Sequence, residues 1–310
     1  MKKQAYSAIV ETYQKSLESD GKSRNTVDSY LRTLRMYGNF CDGKDLDPAD
    51  PGSIVEYKAH LRWRGNKSSS IALAMTHIKC FFDFAAAIKA IDATPYTPAI
   101  AKVKKEQRKP YNKLISEHEF LQIVAGKRPK GMHDDVFLRN KAILVVFLTS
   151  AIRNSELRFL RVNDCDFLNG NIAVHNGKGG KQRTVLFPAI AQKCVKDYLK
   201  SGYRDPKLGN DAYLFGVNSA DGWRQLGRTE LSDIVRRAIC EYTGVDGVRS
   251  HALRHTSASI MRTNGMSIDS ISEFLGHENV QTTRIYAEWL DGATQTQAGN
   301  AIFDSMAYRT

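Results

Sequence analysis

A proline-bearing, strongly basic stretch, "TPYTPAIAKVKKEQRKPYNKLISEHEF", runs from Thr94 to Phe120 of the 310-residue chain. Proline removes a backbone donor and clashes with the preceding turn, so no helix continues through such a segment. The chain must therefore build separate cores on either side of it. Each flank is long enough, since domains usually hold about 100–200 residues. The expected organisation is a helical domain over 1–101, a basic linker from Lys102 to Leu114, a second domain over 115–288, and a tail over 289–310.

The first flank reads as helices. In "TVDSYLRTLRMYGNFC" the residues Val27, Tyr30, Leu31, Leu34, Tyr37 and Phe40 recur at helical spacing, with Arg32 and Arg35 on the opposite side. "SSSIALAMTHIKCFFDFAAAI" repeats the pattern with Ile71, Met75, Ile78, Phe82 and Ala85, and its serines offer a cap. Between them a shorter helix follows Pro48 and Pro51 and ends near Gly65. After the linker, Ser116 is placed to cap "EHEFLQIV". "FLRNKAILVVFLTSAIRNSELRFL" reads as a buried helix, a break near Ser150–Ala151, and a second helix. "DFLNGNIAVHNGKGGKQRTVLFP" switches to period two around a Gly-rich turn, so two short strands are expected there. The remainder is expected to be helical apart from turns, ending in "AIFDSMAY" with Ile302, Phe303 and Met306 on one side. The expected class is mainly α with a small antiparallel β-sheet.

A net charge of +12 favours a polyanionic partner, and the basic residues are spread in short groups rather than gathered in a tail. No apolar run is expected to reach the roughly 20 residues that span a bilayer, and no secretory signal is read at the start. The five cysteines lie far apart without metal-ligand spacing, which suits a reducing compartment. A cytoplasmic location, with no membrane partner, is the expectation.

Several polar residues each have an ordinary explanation. Arg153 and Glu156 are spaced for a helix-surface ion pair. Lys178 and Lys181 sit in a turn where lysine is normally solvated. His251 can cap its helix, His277 can satisfy a helix end after Gly276, and Tyr286 can pack in the core. His251 and Arg254 are one helical turn apart and can face the same side.

Taken together, "SAIRNSEL", "GKGGKQR", "HALRHTSAS" and "LGHENVQTTRIYAE" resemble the tyrosine recombinase, or phage integrase, family, over Ser116 to Glu288. The helical first domain is similar to that family's core-binding (SAM-like) domain, and the resemblance implies a C-shaped two-domain DNA clamp. It implies attack of a tyrosine hydroxyl on a DNA phosphodiester, giving a 3′-phosphotyrosine link without metal or nucleotide cofactor. By resemblance Tyr286 is the nucleophile, Arg153 and Arg254 hold the phosphate, and Lys178 protonates the leaving 5′-oxygen. His251 assists proton transfer and His277 donates to a non-bridging oxygen. Glu156 would orient Arg153, while Lys181, Arg183, Lys104 and Lys105 would contact DNA. His255 is read as structural. Relatives commonly have glycine at the position of Ala151, which alanine can replace unless the turn needs positive φ.

The implied partners are double-stranded DNA with specific core sites and a homotetramer joined through the C-terminal helix, with room for accessory DNA-bending proteins. The implied location is the nucleoid of a prokaryote, or a mobile element within one. Two other readings are a type IB topoisomerase-like relaxing enzyme and a catalytically silent DNA-binding protein.

Overall fold

A computed structural model describes residues 3–103, 114–175, 182–275 and 302–305. The chain divides into two compact units, Met1–Lys109 and Pro110–Thr310.

The first unit consists of α1 (Lys3–Ser19), α2 (Arg24–Gly43), α3 (Pro51–Trp63), α4 (Ser68–Ala87) and the short α5 (Pro98–Ala101). Ser23 starts α2 by accepting from the Thr26 N–H at 3.3 Å, and Pro51 occupies the first turn of α3, where a missing donor costs nothing. Val27, Leu31, Leu34 and Tyr37 face inward from α2 while Arg32 and Arg35 stay exposed, as the spacing requires. The core is aromatic: Phe81 meets Tyr6 and Tyr13 edge-on, with ring centroids 5.2 and 5.7 Å apart. Two of its buried phenols bond backbone carbonyls, Tyr6 donating to that of Leu34 (2.9 Å) and Tyr37 to that of Pro48 (2.7 Å).

Two expectations fail in α4. Its serines lie inside the first turn, and the capping position falls to Lys67 without a side-chain hydrogen bond. The helix is also long and apolar enough, by length and composition, to cross a bilayer, contrary to the sequence reading. Its apolar side chains Ile71, Met75, Ile78, Phe81 and Phe82 form the middle of the unit's core, which accounts for that composition.

The second unit runs α6 (Glu117–Ala125), α7 (Asp134–Ser150), α8 (Asn154–Phe159), β1 (Cys165–Asp166), β2 (Asn171–Val174), β3 (Arg183–Leu186), α9 (Ala189–Lys200), β4 (Gly216–Ser219), β5 (Gly222–Gln225), α10 (Arg228–Thr243), α11 (Ser250–Thr263) and α12 (Ile268–Leu275). Ser116 and Glu119 form a reciprocal capping box at the start of α6. Helix α7 is the central element, buried continuously from Ala142 to Ser150 and packed against α6, α9, α10 and α11. Strands β1, β2 and β3 form an antiparallel sheet in which Ile172 pairs with Val185 and Val174 with Arg183.

The β4–β5 hairpin replaces the helix-and-turn reading of that stretch. Beyond the buried Gly216, which carries no side chain, its strands alternate half-buried and exposed residues and so give a weak apolar signal, and the turn depends on Gly222 at φ 96°. The tail segment Ile302–Ser305 forms a helical turn seated on its own unit. Phe303 is fully buried with its ring 5.8 Å from that of Phe120, and the Asp304 carboxylate accepts from the Ala189 and Ile190 amides at the start of α9. The expected apolar face is thus covered in cis at Phe303; Met306 lies outside the described residues.

Candidate active site

The site begins at the end of α7. Ala151 there adopts the left-handed conformation, φ 50° and ψ 25°, and donates its N–H to the Phe147 carbonyl at 3.1 Å. This turn does need positive φ, so alanine is a strained choice where glycine would be relaxed. The reversal makes Arg153 the residue capping α8. Its N–H donates to Glu156 Oε2 and its Nη1 to Oε1, both at 2.7 Å. Glu156 therefore starts the helix and fixes the guanidinium with one carboxylate.

A second arginine reaches Glu156 from β3: Arg183 donates from Nη1 and Nη2 to its two oxygens at 2.7 and 2.8 Å. Arg183 Nε turns to the Phe274 carbonyl at 3.3 Å. The third arginine, Arg254 of α11, is only 4% exposed and donates from Nη1 to the Ala151 carbonyl at 2.7 Å and from Nη2 to that of Leu275. Arg153 Nη2 donates to the same Leu275 oxygen at 3.2 Å. Two guanidiniums, of Arg153 and Arg183, thus share one buried carboxylate, and all three arginines reach the last two carbonyls of α12. A helix C-terminus carries partial negative charge, which suits cations there.

The electrostatics follow from this crowding. Burial raises the Glu156 pKa, but the hydrogen bonds and charge of Arg183, with the N–H and guanidinium of Arg153, outweigh it and hold the carboxyl at about 2. Arg254 is pushed down to about 9 by burial, then by the charges of Arg153 and Arg183, and it still carries its charge at neutral pH. His251 lies one turn before Arg254 with its ring open to solvent. Partial desolvation, then the charges of Arg254 and Arg153, lower its pKa, which favours the neutral, proton-accepting imidazole at pH 7. His255 packs its ring edge-on against that of His251, centroids 5.0 Å apart, and is also shifted down by burial and by His251. Helix α11 is anchored to the centre of the unit: Ser257 Oγ donates to the Phe147 and Leu148 carbonyls, and Thr256 Oγ1 accepts from the Ile115 N–H.

The structure brings together Arg153, Glu156, Arg183, His251 and Arg254. Lys178, Lys181, His277, Tyr286, Lys104 and Lys105 lie outside the described residues. Arg183, expected at the DNA surface, has all three of its guanidinium nitrogens bonded within the protein, and its side chain is 14% exposed. Strand alternation carries a signal for this placement, because Arg183 shares a face with Val185, which is buried. Among the described residues no group of three or more His, Cys, Asp or Glu is arranged to hold a metal ion.

Arg153, Arg183 and Arg254 are thus held as a fixed cationic cluster beside His251, and guanidinium forks of this kind match the oxygens of carboxylates and phosphates. The sequence profile of the phage integrase family matches residues 114–292, and that of the phage integrase N-terminal SAM-like domain matches residues 10–89. The chain belongs to the phage integrase family, the tyrosine recombinases. It is 30% identical to the tyrosine recombinase XerD of Halalkalibacterium halodurans, covering 86% of this chain and 87% of that protein. It is 28% identical to the tyrosine recombinase XerC of Lacticaseibacillus casei, covering 89% and 92% of the two chains. In fold it is similar to the Tn1549 transposon integrase solved with circular intermediate DNA, with TM-score 0.68 and 19% identity over 93% of this chain and 98% of that one.

Proposed function

We propose that this chain is a site-specific DNA recombinase that breaks and rejoins duplex DNA through a 3′-phosphotyrosine intermediate formed on Tyr286. The carrying observation is that Arg153 and Arg254, from two helices far apart in sequence, both donate to the Leu275 oxygen, immediately before "GHENVQTTRIYAE". Two preorganised forks at one point are what a phosphoryl transfer needs, because negative charge grows on the non-bridging oxygens as the fifth bond forms. In the proposed step the Tyr286 oxygen bonds to phosphorus and the bond to the 5′-oxygen breaks. The tyrosine proton passes to the neutral His251, Lys178 gives a proton to the leaving oxygen, and His277 donates to a non-bridging oxygen. Reversal of these transfers rejoins the strand without an external energy source. The lowered pKa of His251 supports its part as acceptor, since imidazole in its neutral form has a free lone pair.

The partner is double-stranded DNA carrying a specific core site. The basic balance of the chain and the DNA-bound state of the Tn1549 integrase support this. The working assembly is a homotetramer on two duplexes in the cytoplasm, in which the C-terminal segment, seated in cis through Phe303 in the single chain, would transfer to a neighbouring protomer, with Lys104, Lys105 and Lys181 placed on the DNA backbone.

The test is covalent trapping on nicked duplexes drawn from the DNA flanking the gene. Wild-type protein is expected to give a protein–DNA adduct and recombinant strands, and Tyr286→Phe to bind normally with no adduct. An adduct with the phenylalanine variant removes the nucleophile assignment. Trapping without strand exchange supports a topoisomerase-like enzyme, and no trapping by wild type supports a silent binding protein.

A further inference from the structure

We infer that Arg183 is a positioning residue for the cleavage step rather than a DNA contact, clamping Glu156 so that the guanidiniums of Arg153 and Arg254 are held in register. The inference deepens the recombinase reading and rests on it.

The geometry is that of a closed fork. Arg183 presents Nη1 and Nη2 to the two Glu156 oxygens at 2.7 and 2.8 Å, and the Glu156 side chain is 1% exposed. The same two oxygens hold the Arg153 amide and its Nη1, so the orientation of Arg153 depends on a carboxylate that Arg183 keeps charged and fixed. Arg183 Nε reaches the Phe274 carbonyl, one residue before the oxygen shared by Arg153 and Arg254. A single side chain therefore braces α8 and the end of α12 together. It does so from the first residue of β3, which pairs with Val174 of β2, and Lys178 falls between these two positions in the sequence. Each of the three guanidinium nitrogens of Arg183 is bonded to a protein acceptor, and the side chain is 14% exposed, an environment unlike that of a surface phosphate contact.

Loss of Arg183 leaves the buried Glu156 carboxylate held by Arg153 alone, so the carboxylate and the Arg153 fork lose one of their two anchors. Lysine cannot reproduce the planar two-point fork. These differences make the inference testable in the full-length chain with nicked duplex as substrate and an unrelated duplex as the binding probe. Arg183→Met is expected to slow single-turnover trapping by about 100-fold, the usual scale for a small misplacement of catalytic groups. Affinity for the unrelated duplex and its salt dependence should not change. Arg183→Lys should be impaired to a similar extent. If the two side chains act as one clamp, adding Glu156→Gln to Arg183→Met should cost much less in trapping rate and unfolding midpoint than Glu156→Gln costs the wild-type chain.

Trapping by Arg183→Met within a few-fold of wild type overturns the inference. So does a salt slope reduced by about one with unchanged trapping at saturating DNA, the signature of a lost phosphate contact. If Arg183→Met fails to fold, Arg183→Lys decides: trapping within a few-fold of wild type overturns the clamp. Failure of wild-type protein to form any adduct counts against the recombinase reading itself, while the unfolding midpoints of the single and double variants still report whether the two side chains are coupled.

Discussion

The two units bury different things. The first encloses aromatic rings, two of whose hydroxyls are tied to nearby carbonyls, and its buried polar side chains are Ser53 and His77. The second encloses Arg139, Glu156, Arg204 and Arg254, every buried Arg or Glu among the described residues. Burying a charge is costly unless it is paired and hydrogen-bonded, so a fold that needs only stability uses rings and methyl groups. Arg204 shows the structural use of such a charge, closing a loop through the carbonyls of Tyr213, Leu208 and Gly209. The arginines around Glu156 differ because they crowd one another, an arrangement that stability alone does not favour. Like charges crowded in a buried cluster single it out as a candidate functional site.

Four experiments would break or sharpen that contrast. The largest effect is expected in the first unit, where Phe81→Ala should destabilise that unit by about 4 kcal/mol through the cavity it leaves. Amide exchange in the second unit should be unchanged by it. Next, Arg254→Ala should lower cleavage by about 3 kcal/mol of transition-state stabilisation, seen as a fall of two to three orders of magnitude in trapping rate. Cleavage near the wild-type rate would place the site elsewhere.

Acid should act on the second unit through Glu156. Its carboxyl is held at about 2 against an ordinary 4.5, so its stabilisation is complete above pH 4.5 and is lost as pH falls towards 2. The full shift corresponds to about 3 kcal/mol. In Glu156→Gln this acid-dependent loss should be absent from an unfolding series over that range. The smallest effect belongs to Ala151→Gly. Relief of the left-handed alanine gains about 1–2 kcal/mol and the lost buried methyl costs about 0.8, so the net stabilisation should be below about 1 kcal/mol. A lower unfolding midpoint would show that the turn is not strained.

Local rules made much of the fold legible. The inward face of α2, the Ser116–Glu119 box and the break after Ser150 follow from spacing and capping that involve neighbouring residues only. The β4–β5 hairpin escaped because its strands give a weak apolar signal, and the serines of α4 misled because a hydroxyl near a helix start need not be the cap. In the site, Glu156 could be paired with Arg153 from their spacing, but its bond to Arg183 crosses 27 residues and is set by how β3 packs on α8. The positive φ of Ala151 was equally hidden, since it is imposed by the reversal between α7 and α8 rather than by the residue itself.

Counting formal charges around Glu156 leaves the folded molecule in electrical debt: three guanidiniums, of Arg153, Arg183 and Arg254, stand against one carboxylate. The surplus is tolerated because helix-end carbonyls and covalent connectivity hold the cations in place, yet their mutual repulsion remains stored in the unliganded form. A docked phosphodiester cancels part of that repulsion. If the proposed function holds, resistance to heat should rise when duplex DNA is bound, by an amount that grows as salt is removed.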